Sequence, residues 1–94
     1  MVTTSDTELL ELDSAIKELV DSVKCIVLYN DEVNSFDHVI NCLVKYCKHA
    51  ETQAHQCALL VHLKGKYVVK SVDVDILKPI KEALCENGLT ATIE

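Results

Sequence analysis

The sequence contains no arginine and no tryptophan, and its nine basic residues are all lysines. Readout of base edges and tracking of a phosphate backbone depend on arginine and on clustered basic charge. The chain instead has a formal net charge of −6 over 94 residues, a length that corresponds to one small domain. We therefore expect no nucleic-acid partner.

Long apolar segments are also missing. No run of apolar residues approaches the roughly 20 that a membrane-spanning helix needs. The N-terminus, which reads Met-Val-Thr-Thr-Ser-Asp-Thr-Glu, has neither the basic nor the apolar part of a secretory signal. The five cysteines are an odd number without the regular framework of a disulfide-rich secreted protein. These absences predict a cytoplasmic protein with reduced thiols and no membrane association.

The acidic charge is concentrated at the N-terminus. Residues 1–23 contain six acids and one lysine, whereas residues 24–94 contain nine acids and eight lysines. Apolar residues recur through the first segment at a spacing of about 3.5, as on one face of a helix. We therefore divide the chain into an acidic leader over residues 1–23, helical or mobile, and one folded domain over residues 24–94.

The folded segment predicts an α+β domain with the element order β-α-α-β-α-β. Short β-branched runs bounded by turn residues indicate strands, and apolar residues at helical spacing indicate helices. The predicted strands cover residues 24–29, 66–72 and 89–94, and the predicted helices begin near residues 35, 53 and 75. Such a chain forms one layer of helices packed on a three-stranded sheet of the antiparallel type.

Cap residues mark the predicted helix ends. Asn34 or Ser35 should cap the first helix, and Thr52 the second. Gly65 should end the second helix. For the third helix we favour Asp75 over Asp73, because Pro79 is best tolerated within a first turn.

Polar side chains crowd the junction between the first strand and the first helix. They are Asn30, Asp31, Glu32, Asn34 and Asp37. Asx-turn and N-cap chemistry is the simpler explanation for them, just as a cap or a surface group is the simpler one for His62. However, short connections favour antiparallel neighbouring helices, which returns His62 towards Asn30 and Asp31. Acceptors grouped in this way suit an ammonium ion beside an apolar surface.

Two motifs in these segments resemble the ClpS family, the bacterial adaptors that hand N-degron substrates to a Clp AAA+ protease. The family pattern is Asn-Asp-Asp/Glu-x-Thr-Pro-Met-x-x-Val, followed by a helix that ends Met-x-x-Val-His-x-x-Gly. The matching residues are Asn30-Asp31-Glu32 with Phe36 and Val39, then Val61-His62-x-x-Gly65-Lys66, and Thr92-Ile93-Glu94 in the last strand. The resemblance covers residues 24–94.

The resemblance implies a site that reads a free N-terminus. The α-amino group of a substrate would be bound by Asn30, Asp31 and His62. Its bulky hydrophobic side chain would enter a pocket formed by Glu32, Asn34, Phe36, Val39, Ala58, Val61 and Leu89, the last if two residues are deleted before the final strand. The implied partner is a Clp unfoldase of the ClpA or ClpC type. No catalytic residue, cofactor or metal is expected.

The departures from the family's motifs lie in or next to the side-chain pocket, and outside the motifs Ile80 stands where some members have a lysine used in docking to the unfoldase. Asn34 stands in place of threonine, Ser35 in place of proline and Phe36 in place of the first methionine. Ala58 stands in place of the second methionine, which gates the pocket in the family. None of the three positions implied in amine binding is altered.

Three alternatives remain open at the level of sequence. A zinc site has enough candidate ligands, although their spacing fits no common knuckle: Cys42, Cys47, His49, His55 and Cys57. An enzyme could use Cys57 or Cys47 with a histidine base, although no residue places an oxyanion hole. A non-proteolytic interaction module would share the fold, because the fold of the ClpS family resembles the C-terminal domain of the ribosomal stalk protein.

Overall fold

The computed structural model describes residues 22–94, which form three strands and three helices in the predicted order. The elements are β1 (Val23–Tyr29), α1 (Phe36–Tyr46), α2 (Glu51–Lys64), β2 (Lys66–Asp73), α3 (Val74–Glu86) and β3 (Thr90–Ile93). Most of the predicted leader, residues 1–21, lies outside the described residues. No helix within residues 22–94 has the length and apolar character to cross a membrane.

The sheet has three antiparallel strands, as the sequence predicted, and their order is β2-β1-β3. β1 is therefore the central strand. Its register with β2 runs from Val23 opposite Asp73 to Tyr29 opposite Lys66, with one irregularity after Ile26. β3 pairs with the second half of β1, so Tyr29 lies opposite Thr90. The chain that leaves β1 therefore emerges beside the start of both neighbouring strands.

The core lies between one face of this sheet and the helices. Its largest fully buried side chains come from the central strand, from α1 and its C-cap, and from α3: Ile26, Leu28, Leu43, Cys47, Leu77 and Leu84. Smaller side chains of α2, namely Ala54, Cys57 and Val61, pack into the same core. Burying one large aliphatic side chain contributes about 1.5–3 kcal/mol. This shared core fixes the end of β1 relative to α1 and α2.

Local capping agrees with the sequence at one helix and differs at the other two. Ser35 caps α1, and its Oγ accepts from the His38 N–H at 3.1 Å. α2 begins at Glu51, ahead of the expected Thr52 cap, and its N-cap Ala50 makes no side-chain bond. The preference for Asp75 was wrong, because the Asp73 carboxylate accepts from the Asp75 N–H at 2.9 Å and caps α3.

Pro79 consequently lies further inside α3 than expected. A proline there has no N–H to donate to the carbonyl four residues earlier, and its ring crowds that carbonyl. The helix nevertheless continues to Glu86, because Leu77 and Leu84 on its inner face are fully buried. Packing of the apolar face thus outweighs the local cost of the proline.

Candidate functional site

The end of β1 is joined to the end of α2 by one backbone hydrogen bond. The N–H of Asn30 donates to the carbonyl of Gly65 at 2.8 Å. Gly65 closes α2 by donating to the Val61 carbonyl at 2.9 Å, and its φ of +86° is a left-handed conformation that favours glycine. The helix therefore stops where the strand emerges, and this brings His62 to the same end of the molecule as Asn30.

A cavity of about 350 Å³ lies beside this bond. All the site residues predicted from the sequence line it: Asn30, Asp31, Glu32, Asn34, Phe36, Val39, Ala58, Val61, His62 and Leu89. Leu28 and Tyr29 also line it and were missed by sequence reasoning, although they directly precede the first motif. The structure thus brings together four segments, namely the β1–α1 connection, α1, α2 and the residue before β3. The roles of the lining residues in binding stay predictions.

Asp31 shapes the connection between β1 and α1. Its Oδ1 accepts from the N–H groups of Val33 at 2.9 Å and Asn34 at 2.8 Å. Its Oδ2 accepts from the side-chain amide of Asn34 at 2.8 Å. The hydrogen bond from the Asn34 backbone, followed by that from the Asn34 side chain, lowers the pKa of Asp31. Most of the hydrogen bonds that the Asp31 carboxylate accepts therefore stabilise the turn in which it lies. Its Oδ2 atom still has a lone pair that can accept from a further donor.

Asn34 connects this loop to the turn before β3. Its amide nitrogen donates to Asp31 Oδ2 and to the carbonyl of Gly88, both at 2.8 Å. Leu89 follows Gly88 and reaches the cavity with 4% of its surface exposed. Asn34 therefore positions two walls of the cavity in addition to lining it.

The rim of the cavity carries polar groups with free hydrogen-bonding capacity. Asn30 and His62 are both exposed, and within residues 22–94 neither side chain has a hydrogen-bond partner. Asp31 and the exposed Glu32 form no ion pair with any described residue. Glu32, predicted as part of the hydrophobic pocket, thus contributes a carboxylate at its edge. The rim combines unpaired acceptors with uncompensated negative charge, which suits a cation that carries several donors.

The wall below the rim is apolar. Ala58 and Val61 form the part of this wall that belongs to α2, with 3% and 4% of their surfaces exposed. Val39 and Phe36 come from α1, and the Phe36 ring is 36% exposed. The ring lies edge-on to the imidazole of His55, with 5.3 Å between the centroids and 76° between the planes. The cavity is therefore an apolar space open to solvent through a polar mouth.

The cysteines and histidines of the alternative sites do not form a metal-binding or catalytic arrangement in the described part of the chain. Residues 22–94 contain no group of three or more side chains placed to hold a metal ion. His49 Nε2 instead donates to the Val69 carbonyl at 2.6 Å. Burial raises the pKa of the Cys47 thiol to about 11 and also raises the pKa of Cys57. A protonated, buried thiol is a poor nucleophile, so neither cysteine has the environment of a catalytic residue.

Comparison with known proteins decides between the remaining alternatives. The model of the family described as "ATP-dependent Clp protease adaptor protein ClpS" matches residues 21–92. The chain belongs to the ClpS family. This ClpS-family chain has no significant match among curated proteins.

A solved structure of the family has the same fold. It is Agrobacterium tumefaciens ClpS2 bound to L-phenylalaninamide, with a TM-score of 0.71 and 24% sequence identity. The match covers 78% of this chain and 95% of that one. It confirms the predicted α+β architecture. The family match also favours a protease adaptor over a module that shares only the fold with the ribosomal stalk.

Proposed function

We propose that this ClpS-family protein binds the free α-amino group and the bulky hydrophobic first side chain of N-degron substrates and delivers them to a Clp AAA+ unfoldase. One observation carries the proposal: unpartnered polar side chains lie at the mouth of an apolar cavity of about 350 Å³. That arrangement matches the two ends of an N-terminal residue, an ammonium group and an apolar side chain. The protein itself performs no chemical step in this role.

The amine would be held at the rim. Asn30 Oδ1, a free lone pair on Asp31 and a ring nitrogen of His62 can each accept from an ammonium group. The negative charge of Asp31 and Glu32 favours a cation over an acetylated or internal peptide group. Because Asp31 is already bound to its own loop, we assign the larger share of direct contact to Asn30 and His62.

The size of the cavity supports a single large side chain as its occupant. Burying ~150 Å² of an aromatic side chain contributes roughly 4 kcal/mol at ~25 cal/mol/Å². Hydrogen bonds to a charged amine add about 2–4 kcal/mol, and the costs of association offset part of the sum. The affinity is then about micromolar, which suits a carrier that has to release its cargo.

The ligand of the related structure supports the same chemistry. L-phenylalaninamide, bound to Agrobacterium tumefaciens ClpS2, combines a free α-amino group with an aromatic side chain. The present chain forms a cavity that has a polar rim and an apolar wall in the same fold. The proposed partner is an unfoldase of the ClpA or ClpC type, and the family's description as adaptors of the ATP-dependent Clp protease supports a Clp partner.

Peptides that differ only at their first residue test the proposal. A Leu- or Phe-initiated peptide should bind, and acetylation of its N-terminus should weaken binding by at least ~2 kcal/mol, because the charge and most of the donors are removed. Asn30→Ala and His62→Ala should have the same effect on the free peptide, whereas Asn41→Ala, on the exposed face of α1, should not. Equal binding of the free and the acetylated peptide refutes the proposal.

A further inference from the structure

Ala58 lines the cavity and yet is almost completely buried, with 3% of its surface exposed. The side chain of an alanine is small. On the wall of a cavity it is buried only where larger neighbouring side chains cover it. The aromatic ring of Phe36 lies on the facing helix, lines the same cavity and is 36% exposed. Phe36 and Ala58 thus line the same cavity from neighbouring helices, Phe36 with a large, partly exposed side chain and Ala58 with a small, buried one.

The Phe36 ring is in contact with His55 of α2. The imidazole meets the ring edge-on at 5.3 Å between centroids, and this contact bridges α1 and α2. His55 precedes Ala58 by three residues, so both side chains lie on the same side of α2, one turn apart. His55 itself does not line the cavity and is exposed. It is thus placed to act on the cavity through Phe36.

We propose that His55 sets the side-chain selectivity of the pocket by holding the Phe36 ring against α2 beside Ala58. This inference rests on the proposed function and adds a positioning residue to it. The held ring narrows the mouth from the α1 side. A substrate whose amine is held at the rim, as proposed above, carries its Cβ close to this mouth, because Cβ is only two bonds from the amine nitrogen. A side chain branched at Cβ cannot rotate its second heavy atom away from the ring, whereas Leu, Phe or Tyr can pass it. The pocket should therefore bind Leu-initiated peptides more tightly than Ile-initiated ones.

Substitution of His55 tests this through a ratio of affinities. In His55→Ala the ring is released, and the Leu-to-Ile affinity ratio should fall by about two- to tenfold, the scale of one edge-to-face aromatic contact. His55→Phe keeps such a contact and should restore the ratio. Gln56→Ala, the neighbouring exposed position on α2, should leave the ratio unchanged. Since alanine is a good helix former, the variant should retain its fold.

A substitution on the α2 wall of the cavity provides an independent test of how the mouth affects the Leu-to-Ile affinity ratio. Ala58→Met adds a flexible apolar side chain on the α2 side of the mouth, so it should raise the Leu-to-Ile ratio in the parent. It should also recover the ratio in the His55→Ala background. A merely structural role of His55 would lower the affinity for all peptides alike and leave the ratio where it was.

The position of the ring can be measured without any peptide. Phe36 is the only phenylalanine in the sequence, so 4-fluorophenylalanine labelling places a single ¹⁹F probe on this ring. The ¹⁹F resonance should shift and sharpen in His55→Ala, as expected for a side chain that is no longer held. It should return towards the parent in His55→Tyr, which keeps an aromatic contact without adding a second phenylalanine.

The outcomes separate the two proposals. An unchanged ¹⁹F signal together with an unchanged ratio overturns the role of His55, even if peptides bind as proposed. Failure of every peptide to bind removes the proposed function, while the ¹⁹F experiment still decides whether His55 holds the ring. A changed signal with an unchanged ratio shows that the ring is held but does not select, and it likewise overturns the inference.

Discussion

Asp31 is the residue in which loop structure and proposed binding meet. Its carboxylate accepts two backbone N–H bonds and one amide bond, all within the segment that leaves β1. These bonds hold Asn30 and Glu32 at the mouth of the cavity. A charged acceptor at this position contributes structure and negative potential together, so the two effects have to be separated by experiment.

Asp31→Ala should weaken both the fold and peptide binding. Removing an acceptor of this kind costs about 1–2 kcal/mol of unfolding free energy, as for the loss of an N-cap. Urea unfolding and peptide titration measure the two losses. Glu82→Ala, which removes a charge on the exposed surface of α3, should change neither. Equal stability of Asp31→Ala and the parent contradicts the structural role.

The pH dependence has a defined sign. Hydrogen bonds from Asn34 lower the pKa of Asp31 in the folded state. The stabilisation by this carboxylate is therefore complete above the ordinary aspartate value of about 3.9 and is lost as the pH falls through the lower folded-state pKa. Acid titration of the parent should show a loss of stability below about pH 4 that is reduced in Asp31→Ala.

Sequence reasoning named a set of candidate residues that the structure places around one cavity, but it did not predict all of their contacts. The motif residues were predictable because the two motifs are defined by the types of their side chains and by their order along the chain. The bond from Asn34 to Gly88 and the contact between Phe36 and His55 were not predictable. Each depends on the relative placement of elements that are distant in sequence, which periodicity and spacing do not specify.

At the scale of elements, the end of α2 decides where the rim forms. Gly65 was predicted to end this helix, and its φ of +86° shows why a glycine is suited to the position. The caps of α2 and α3 were less predictable, because Ala50 has no capping side chain and two aspartates compete at α3. A left-handed C-cap leaves a clear signal in the sequence, whereas an N-terminus stabilised by packing does not.

Gly65→Ala should destabilise the domain by about 1 kcal/mol, because an L side chain is strained at positive φ. The space around the added Cβ is open, with no atom within 4 Å, so the effect isolates the backbone conformation. Gly65→Asn should lie between glycine and alanine, since asparagine tolerates the left-handed region. Urea unfolding of the three proteins gives the order, and alanine at least as stable as glycine would contradict it.

At the scale of the whole molecule, the division of the chain into a folded domain and an acidic leader stays a prediction, whereas the candidate site lies entirely within the described residues. Every residue that lines the cavity falls between Leu28 and Leu89. The leader carries a single apolar stripe and an excess of acids, and residues 1–21 lie outside the described part. The overall fold was predictable because apolar residues in each helix and strand recur at the spacing typical of that element. The role of the leader cannot be predicted from the spacing of its apolar residues.

Removal of residues 1–20 should leave peptide affinity within ~0.5 kcal/mol, as expected for a change away from a site. Delivery of an N-degron substrate to a ClpA- or ClpC-type protease should fail, because we assign contact with the unfoldase to the leader, whose acidic, single-striped sequence lies outside both motifs of the site. Degradation assays with the full-length and the truncated protein measure this. Complete degradation by the truncated protein assigns delivery to the domain alone.

The hydrogen bond between Asn30 and Gly65 joins two segments that meet only when β1 and α2 are both in place. The mouth of the cavity therefore has no counterpart in the unfolded chain, and a ligand that occupies it binds the folded state alone. Such a ligand adds about 2.7 kcal/mol to the unfolding free energy at a concentration a hundred times its Kd. The total free energy of unfolding of a small domain is only about 5–15 kcal/mol. A bound substrate should therefore stabilise the folded adaptor. The free energy of unfolding is highest while the substrate is bound and falls when the substrate is released.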